Sequence, residues 1–174
     1  MIQPDGPCQF NFLPLHRGRL GLSACPGWSR SPATLDLEAE VRAIADWPAA
    51  AVVSLMEDSE FRRLGLGDLP VLLKRQIPLW MHLPIRDHDI PDARWMARWP
   101  EAHRTITGIL ADGGNVLIHC LGGLGLTGTV AALLVMEAEG CDGDEAIGRV
   151  REAHSVHALE TPEQREFVRN YRVE

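Results

Sequence analysis

The sequence predicts a single α/β domain in which a central, largely parallel sheet is flanked by helices. Short runs of apolar and β-branched residues alternate with longer segments whose apolar residues recur at helical spacing. The 174 residues are enough to bury a substantial core in one domain. No internal repeat, low-complexity tract or long linker interrupts the chain, so residues 1–174 are expected to form one domain.

Five strands are predicted from short apolar segments bounded by Pro, Gly or polar loop residues. In chain order they are QFNFLPL, GRLGLSAC, AAVVSL, LWMHLPI and NVLIHC. The fourth strand runs into a polar loop, RDHDIPD, and the fifth runs into a glycine-rich turn. Both loops therefore follow strands of the predicted sheet.

Helices are predicted from apolar periodicity and from their start and stop signals. The first lies in TLDLEAEVRAIADW and begins near Ser31-Pro32, because proline is tolerated in a first helical turn. The span from Ala93 to Asp112 is helical in character and ends at Gly113-Gly114, as helices with C-terminal glycines do. The remaining predicted helices are LPVLLKRQ, 127–139, about 143–154 and about 161–172.

Composition limits the classes of function. A formal net charge of −7 without any basic run argues against a nucleic-acid partner. No apolar run approaches the roughly 20 residues needed to span a bilayer, and MIQPDGPCQF lacks the pattern of a signal peptide. We therefore expect a cytoplasmic protein without a membrane partner.

Cysteine and histidine spacing predicts neither disulfides nor a metal site. The four cysteines, Cys8, Cys25, Cys120 and Cys141, show no paired spacing. His154-x-x-His157 is the only close histidine pair, and no CxxC accompanies it. Both histidines are interpreted as helix-end or loop residues, and no metal or cofactor is expected.

The glycine turn admits a dinucleotide-binding interpretation. Gly123-x-Gly125-x-x-Gly128 matches GxGxxG after a strand and before a helix. That fingerprint also needs a further strand with an acidic residue roughly 20 positions on, whereas GCDGDEAIGRVREAH is predicted to be helical. A nucleotide P-loop is excluded because no lysine precedes Thr127. Dinucleotide binding is therefore the disfavoured alternative.

Cys120 offers a different chemistry. A thiol between a strand and a helix N-terminus lies near unpaired N–H groups and the positive end of the helix dipole. This environment favours the nucleophilic thiolate. The glycines at 122, 123 and 125 let the loop turn its amides inward as an anion nest. Thr127 is placed to offer its hydroxyl to the sulfur.

The segment HCLGGLGLTGT resembles the signature of the cysteine-dependent protein tyrosine phosphatases, which is His-Cys, five residues, Arg, and Ser or Thr. It is most similar to the small dual-specificity branch that includes kinase-associated phosphatase. The segments GRLGLSACPG, AAVVSLMED, MHLPIRDHDIPD and ALETPEQREFV also resemble that branch, in the expected order. The resemblance covers nearly the whole chain and implies the same α/β fold.

The resemblance implies roles for individual residues. Cys120 would attack phosphorus, and Asp87 would protonate the leaving oxygen and then help to activate water against the phosphocysteine. Asp89 and Asp92 are nearby alternatives, and Asp89 remains open as the acid. His119 would orient the cysteine without acting as a base. The phosphate would bind in the loop formed by Leu121, Gly122, Gly123, Leu124, Gly125 and Leu126.

Leu126 departs from the family, which has an arginine at this place. Arginine's planar fork grips two phosphate oxygens, and leucine supplies neither charge nor donor. Three explanations stay open: a phosphatase scaffold with strongly reduced activity, a pseudophosphatase that binds phosphate or a protein, and a cysteine-dependent enzyme with a less charged substrate. The sequence does not decide whether Leu126 is natural or engineered.

The expected partner is a phosphorylated protein or a small phosphomonoester whose oxyanion lies in the loop. Late in the chain, LETPEQREF lies where the family places pocket residues, which makes Glu160 and Gln164 candidates for positioning water or substrate. The preferred interpretation of this segment is simpler. Thr161, Pro162 and Gln164 fit the cap, first and third positions of a helix N-terminus.

Overall fold

The computed structural model describes residues 8–28 and 36–172. These residues form five strands and seven helices. In chain order the elements are β1 (Phe10–Leu15), β2 (Gly18–Ser23), α1 (Leu37–Asp46), β3 (Ala49–Ser54), α2 (Asp58–Arg63), α3 (Leu69–Gln76), β4 (Leu79–His82), α4 (Ala93–Ala111), β5 (Asn115–His119), α5 (Gly125–Glu139), α6 (Gly143–Ala153) and α7 (Pro162–Asn170). The predicted α/β class is confirmed.

The strands form one sheet in the order β1-β2-β5-β3-β4. Strand β5 is central and runs parallel to β2 and β3, and β3 runs parallel to β4. Only β1, joined to β2 as a hairpin, is antiparallel. The carboxyl ends of β2, β3 and β5 therefore meet at one edge, where Ser23 and Ser54 both pair with His119. The glycine turn begins there, one residue later.

Alternating side chains of the sheet pack into two separate cores. On β5, Val116 and Ile118 belong to the cluster built with α4, α5 and α6, whereas Leu117 belongs to the cluster built with α1, α2 and α3. This alternation follows from the two-residue period of a strand. In α5 every residue from Gly125 to Met136 is buried. The helix after the glycine turn is therefore a central element of the core.

Helix starts follow the capping rules. Asp92 accepts from Trp95 N at the start of α4, and Thr161 and Gln164 form a capping box on α7. Gly113, with φ of +88°, ends α4 as predicted. No helix within the described ranges has both the length and the apolar character to cross a membrane.

Some predicted boundaries were wrong. Helix α2 was not predicted, because its six residues are too few to show a period. Strand β4 ends at His82 rather than near Ile85, although Leu83 N and Ile85 N still donate to the carbonyls of Ser54 and Leu55. Helix α5 begins at Gly125, two residues earlier than predicted. The Ser31-Pro32 helix start lies outside the described residues, and α1 is capped by Asp36.

Candidate active site

The glycine turn encloses the sulfur of Cys120 at the carboxyl edge of the sheet. Cys120 follows β5 directly and is 5 % exposed. The backbone N–H of Gly123 donates to its Sγ, with 3.2 Å between nitrogen and sulfur. The apolar cluster on the α4–α6 side of the sheet also includes this side chain. Cys120 is therefore buried, with at least one loop amide directed at the sulfur.

Carbonyl groups of the loop are bonded to residues outside it. Leu121 O accepts from Cys25 N at 3.0 Å. Leu124 O accepts from Gly128 N at 3.0 Å and from Leu159 N at 3.2 Å. The segment after β2, helix α5 and the segment before α7 thus hold these two carbonyls away from the centre of the turn.

The carbonyl of Gly123 is held in the same way by a side chain. His154 Nε2 lies 2.7 Å from Gly123 O. The amide of Asn11 donates to His154 Nδ1 and to His154 O, each at 3.0 Å. Three carbonyls of the turn therefore bond outward.

Outward carbonyls fix the direction of the following amides. A trans peptide places its N–H opposite its C=O, and no described peptide bond is cis. The N–H groups of Gly122, Leu124 and Gly125 thus point to the side opposite the bonded carbonyls. Within residues 8–28 and 36–172 none of the three donates a hydrogen bond. This is the arrangement of an anion nest at a helix N-terminus.

Gly123 occupies a position of the turn where a residue with a side chain would not fit. Its φ is +75°, and a Cβ there would lie 2.4 Å from Ala24 N and 2.5 Å from Ser23 O. These contacts are with backbone, which cannot move aside as a side-chain end can. A Cβ on Gly122, by contrast, would meet nothing within 4 Å. The two adjacent glycines therefore have different structural roles.

His119 lies beneath the turn on the opposite face of β5. Its Nε2 is 2.6 Å from Ser54 Oγ, which also accepts from Trp80 Nε1 at 2.9 Å. Its Nδ1 lies 3.4 Å from the carbonyl oxygen of Cys120. Burial lowers the pKa of His119 to about 4. The ring is therefore neutral at ordinary pH and contacts the cysteine through the backbone, so its orienting role stays a prediction.

Cys120 differs from the other cysteines. Burial raises the pKa of Cys25 well above its ordinary value and that of Cys8 to about 12, and it also raises the pKa of Cys141. Among the four, only Cys120 accepts a hydrogen bond from a loop amide.

Leu126 and Thr127 begin α5 with buried side chains. Leu126 is 4 % exposed and packs in the same apolar cluster as Cys120. The hydroxyl of Thr127 is buried and has no hydrogen-bond partner among the described residues. The predicted bond from Thr127 to the sulfur is thus not formed here; Gly123 N donates instead. The catalytic role of Thr127 stays a prediction.

The acidic loop after β4 is exposed. Asp87, with 46 % of its side chain exposed, accepts from the adjacent His88 N at 3.1 Å. Asp89 accepts from Ile90 N at 2.9 Å, and its own N–H bonds to Arg86 O. Asp92 caps α4 and is therefore committed to structure. A cleft of about 740 Å³, lined in part by Arg86 and Asp89, lies beside this loop.

Gln164 connects the acidic loop to the glycine turn. Its fully buried side chain donates from Nε2 to Asp89 O at 3.3 Å. The same amide and the Glu160 carboxylate lie against Gly125: a Cβ there would be 3.0 Å from Gln164 and 2.7 Å from Glu160 Oε2. The helix-capping interpretation of this segment is confirmed. The capping residue Gln164 also lies at the site, where its positioning role stays a prediction.

Several contacting residues were missed from the sequence. His154 was interpreted as a helix-end histidine, which is correct for its position at the C-terminus of α6. Its bond to Gly123 O, and the contributions of Asn11 and Ser54, join segments far apart in the chain. No local pattern signals them. No group of three or more His, Cys, Asp or Glu suited to a metal occurs in the described ranges.

The structure also lacks the strand that dinucleotide binding would require after the glycine turn. The described chain after β5 contains only the helices α5, α6 and α7. The sheet therefore has no strand after the glycine turn to hold a ribose-binding acidic residue.

Comparison with known proteins identifies the family. A family model described as "Tc-R-P: Polymorphic toxin system, DSP-PTPase phosphatase" matches residues 27–139. The chain is 25 % identical over 170 residues to mouse (Mus musculus) cyclin-dependent kinase inhibitor 3, covering 95 % of this chain and 79 % of the relative.

Solved structures of phosphatases have the same fold as this chain. Kinase associated phosphatase, with its catalytic site cysteine replaced by serine, superposes with a TM-score of 0.84 at 23 % identity, over 93 % of this chain and 92 % of that one. Tk-PTP in its active form has a TM-score of 0.67 at 34 % identity, over 86 % and 88 % of the two chains. The first likeness shows the fold, and the second adds closer sequence similarity. This chain therefore belongs to the DSP-PTPase phosphatase family of polymorphic toxin systems.

Proposed function

We propose that this chain is a phosphomonoester hydrolase scaffold of the dual-specificity type, with Cys120 as nucleophile and with turnover strongly reduced by Leu126. The observation that carries the proposal is the outward bonding of the carbonyls of Leu121, Gly123 and Leu124. It directs a set of backbone amides toward one place, next to the sulfur, where a phosphoryl group would lie.

The chemistry follows from this arrangement. The thiolate of Cys120 attacks phosphorus, the bond from phosphorus to the ester oxygen breaks, and Asp87 gives its proton to the leaving oxygen. Water then attacks phosphorus, Asp87 takes a proton from the water, and the phosphorus–sulfur bond breaks to release inorganic phosphate and restore the Cys120 thiolate. The inward amides and the α5 dipole stabilise the equatorial oxygens in both steps.

Leu126 reduces both binding and turnover. Its side chain is buried and carries no charge, so the phosphate receives only neutral donors at the start of α5. Removing one neutral oxyanion donor costs about 3–4 kcal/mol, or roughly a hundredfold to a thousandfold in rate. A bidentate arginine contributes at least as much, because its donors are charged and fit two phosphate oxygens.

The substrate is a phosphorylated protein or a small phosphomonoester. One relative is named cyclin-dependent kinase inhibitor 3, and a structural neighbour, PTPMT1, was solved in complex with PI(5)P. The net charge of −7 disfavours a nucleic-acid partner.

A pseudophosphatase is the second candidate. It is favoured by the core packing of Leu126, which leaves this position of the loop without a cation. In this case the turn would bind a phosphate group of a partner without hydrolysing it.

Hydrolysis of p-nitrophenyl phosphate by four proteins separates the candidates: the chain itself, Cys120→Ser, Leu126→Arg, and the double variant. If the proposal is correct, the chain itself turns over slowly, and Leu126→Arg turns over about a hundredfold to a thousandfold faster. Neither variant that lacks Cys120 hydrolyses the substrate. An inactive Leu126→Arg protein that still binds inorganic phosphate would favour the pseudophosphatase. Absence of both binding and turnover would contradict both candidates.

A further inference from the structure

The ring of His154, at the end of a distant helix, bonds to a carbonyl of the glycine turn. His154 caps the C-terminus of α6, and its Nε2 lies 2.7 Å from Gly123 O. Asn11, on the edge strand β1, contacts both the ring and the carbonyl of His154 at 3.0 Å. Residues 11, 123 and 154 are thus brought together by the fold alone.

The contacts determine the protonation state of the ring. Gly123 O and His154 O are carbonyl oxygens and can only accept. The atom of Asn11 that bonds His154 O is therefore its NH₂, so His154 Nδ1 accepts from that group. The single proton of the neutral ring lies on Nε2, where it is donated to Gly123 O. Burial lowers the pKa of His154, which agrees with a neutral ring.

The hydrogen bond to Gly123 O orients the peptide group between Gly123 and Leu124. It is trans, so a carbonyl held toward α6 turns the Leu124 N–H the opposite way. On its other side, Gly123 uses its own N–H to contact Cys120 Sγ at 3.2 Å. Gly123 is also the residue with the unusual φ of +75°, and no side chain of its own stabilises that conformation.

We propose that His154, held in its Nε2-protonated form by Asn11, is a positioning residue that keeps the Leu124 amide directed at the bound oxyanion. The proposal rests on the oxyanion site described above and adds a residue that acts on it through the backbone. His154 does not touch the substrate. Its contribution is to orient one donor of the nest. A side-chain amide at the same place, such as that of glutamine, can also provide this contribution.

The test compares His154→Ala, His154→Gln and a matched control, His157→Ala. Glutamine retains an NH₂ donor for Gly123 O and an oxygen that can accept from Asn11. His157 is exposed and three residues further along the chain, and within the described ranges its side chain forms no hydrogen bond to the turn. Each substitution is made in the full chain and in the Leu126→Arg protein.

The first measurement is independent of anion binding. In ¹H–¹⁵N spectra without ligand, the Gly123 and Leu124 amide resonances should move in His154→Ala, return toward their original positions in His154→Gln, and stay unchanged in His157→Ala. Unchanged resonances in a folded His154→Ala protein would overturn the proposal, whatever the protein binds.

The second measurement is kcat/KM for p-nitrophenyl phosphate in the Leu126→Arg protein. His154→Ala should lower it about tenfold to a hundredfold, because one donor is misplaced rather than removed, and His154→Gln should recover most of the loss. Equal kcat/KM in His154→Ala and its parent would refute the positioning role. If the amides move but no protein binds phosphate or turns over substrate, the proposed function fails while the backbone contact stands.

Discussion

The glycine turn and the acidic loop are built in opposite ways. In the turn, Cys120 is 5 % exposed and the carbonyls of Leu121, Gly123 and Leu124 are all bonded to other elements. In the acidic loop, Asp87 has 46 % of its side chain exposed and bonds only to the next residue. The main chain of the turn is held by hydrogen bonds to other elements, whereas the Asp87 side chain contacts only its neighbour in the chain.

This difference corresponds to two kinds of contribution. Backbone donors stabilise an anion only when they are already oriented, because reorienting them would cost free energy during the reaction. A general acid must approach the leaving oxygen and retain its proton, so it benefits from mobility before substrate is bound. Gln164 is the contact between the two, with its amide against Gly125 and on Asp89 O.

The largest expected effect is that of Gly123→Ala, which tests whether the turn requires the main-chain conformation of Gly123. The new Cβ would meet the backbone of Ser23 and Ala24 at 2.4–2.5 Å with φ at +75°. In the Leu126→Arg protein kcat/KM should fall about a thousandfold, and phosphate binding should be lost. Steady-state kinetics and calorimetric titration with phosphate measure both quantities.

Gly122→Ala is the matched control for this prediction. Its Cβ has open space within 4 Å, so activity should stay within about threefold of the parent, because a substitution without contacts is usually tolerated. Equal losses in the two variants would show that the specific conformation of Gly123 is not what matters.

The next largest effect concerns the acidic loop. In the Leu126→Arg protein, Asp87→Asn should lower kcat for p-nitrophenyl phosphate by about a hundredfold or more, since general acid catalysis contributes roughly 10²–10⁴-fold. Asp89→Asn should change kcat much less, because the contact of Asp89 to Gln164 uses its backbone oxygen. The reverse ranking would transfer the role of acid to Asp89.

The pH dependence of the free energy of unfolding tests the contribution of the buried His119. Burial holds the pKa of His119 at about 4, whereas an exposed histidine titrates near 6.5. Between these values the unfolded chain binds a proton that the folded chain does not. The contribution of neutral His119 is therefore complete above about pH 6.5 and is lost as the pH falls toward 4.

The expected size of this loss is on the order of 3 kcal/mol, from 1.36 kcal/mol per pKa unit. Urea denaturation of the chain and of His119→Gln across this pH range measures it as a difference. The difference removes the share of other histidines, such as the partly buried His154. Parallel pH profiles for the two proteins would refute the assignment to His119.

The smallest expected effect is that of Gln164→Ala, which removes the contact between the two loops. We expect kcat/KM of the Leu126→Arg protein to fall about tenfold, because the acid loop is then less well positioned against the turn. Glu163→Ala, at the exposed neighbouring position of α7, should have no comparable effect. If both variants retain full activity, Gln164 serves only to cap the helix.

The fold and the position of Cys120 between a strand and a helix could be predicted because their signals are local. Alternating strands and helices, Cys120 between a strand and a helix, and the glycines of the turn all lie in short segments. The short α2 was missed because six residues carry too little periodicity. Asp87 could be named only by resemblance, since three aspartates within six residues look alike in sequence.

The sequence by itself determined the α/β class, the position of Cys120 before a buried helix, and the presence of an uncharged residue at Leu126. Each depends on residue types at neighbouring positions, and local geometry follows directly from them. Only the tertiary structure decided which groups surround the turn. His154, Asn11, Cys25, Leu159 and Gln164 reach it from separate elements. Hydrogen-bond partners distant in the chain are set by packing of the sheet and helices, and no local pattern encodes them.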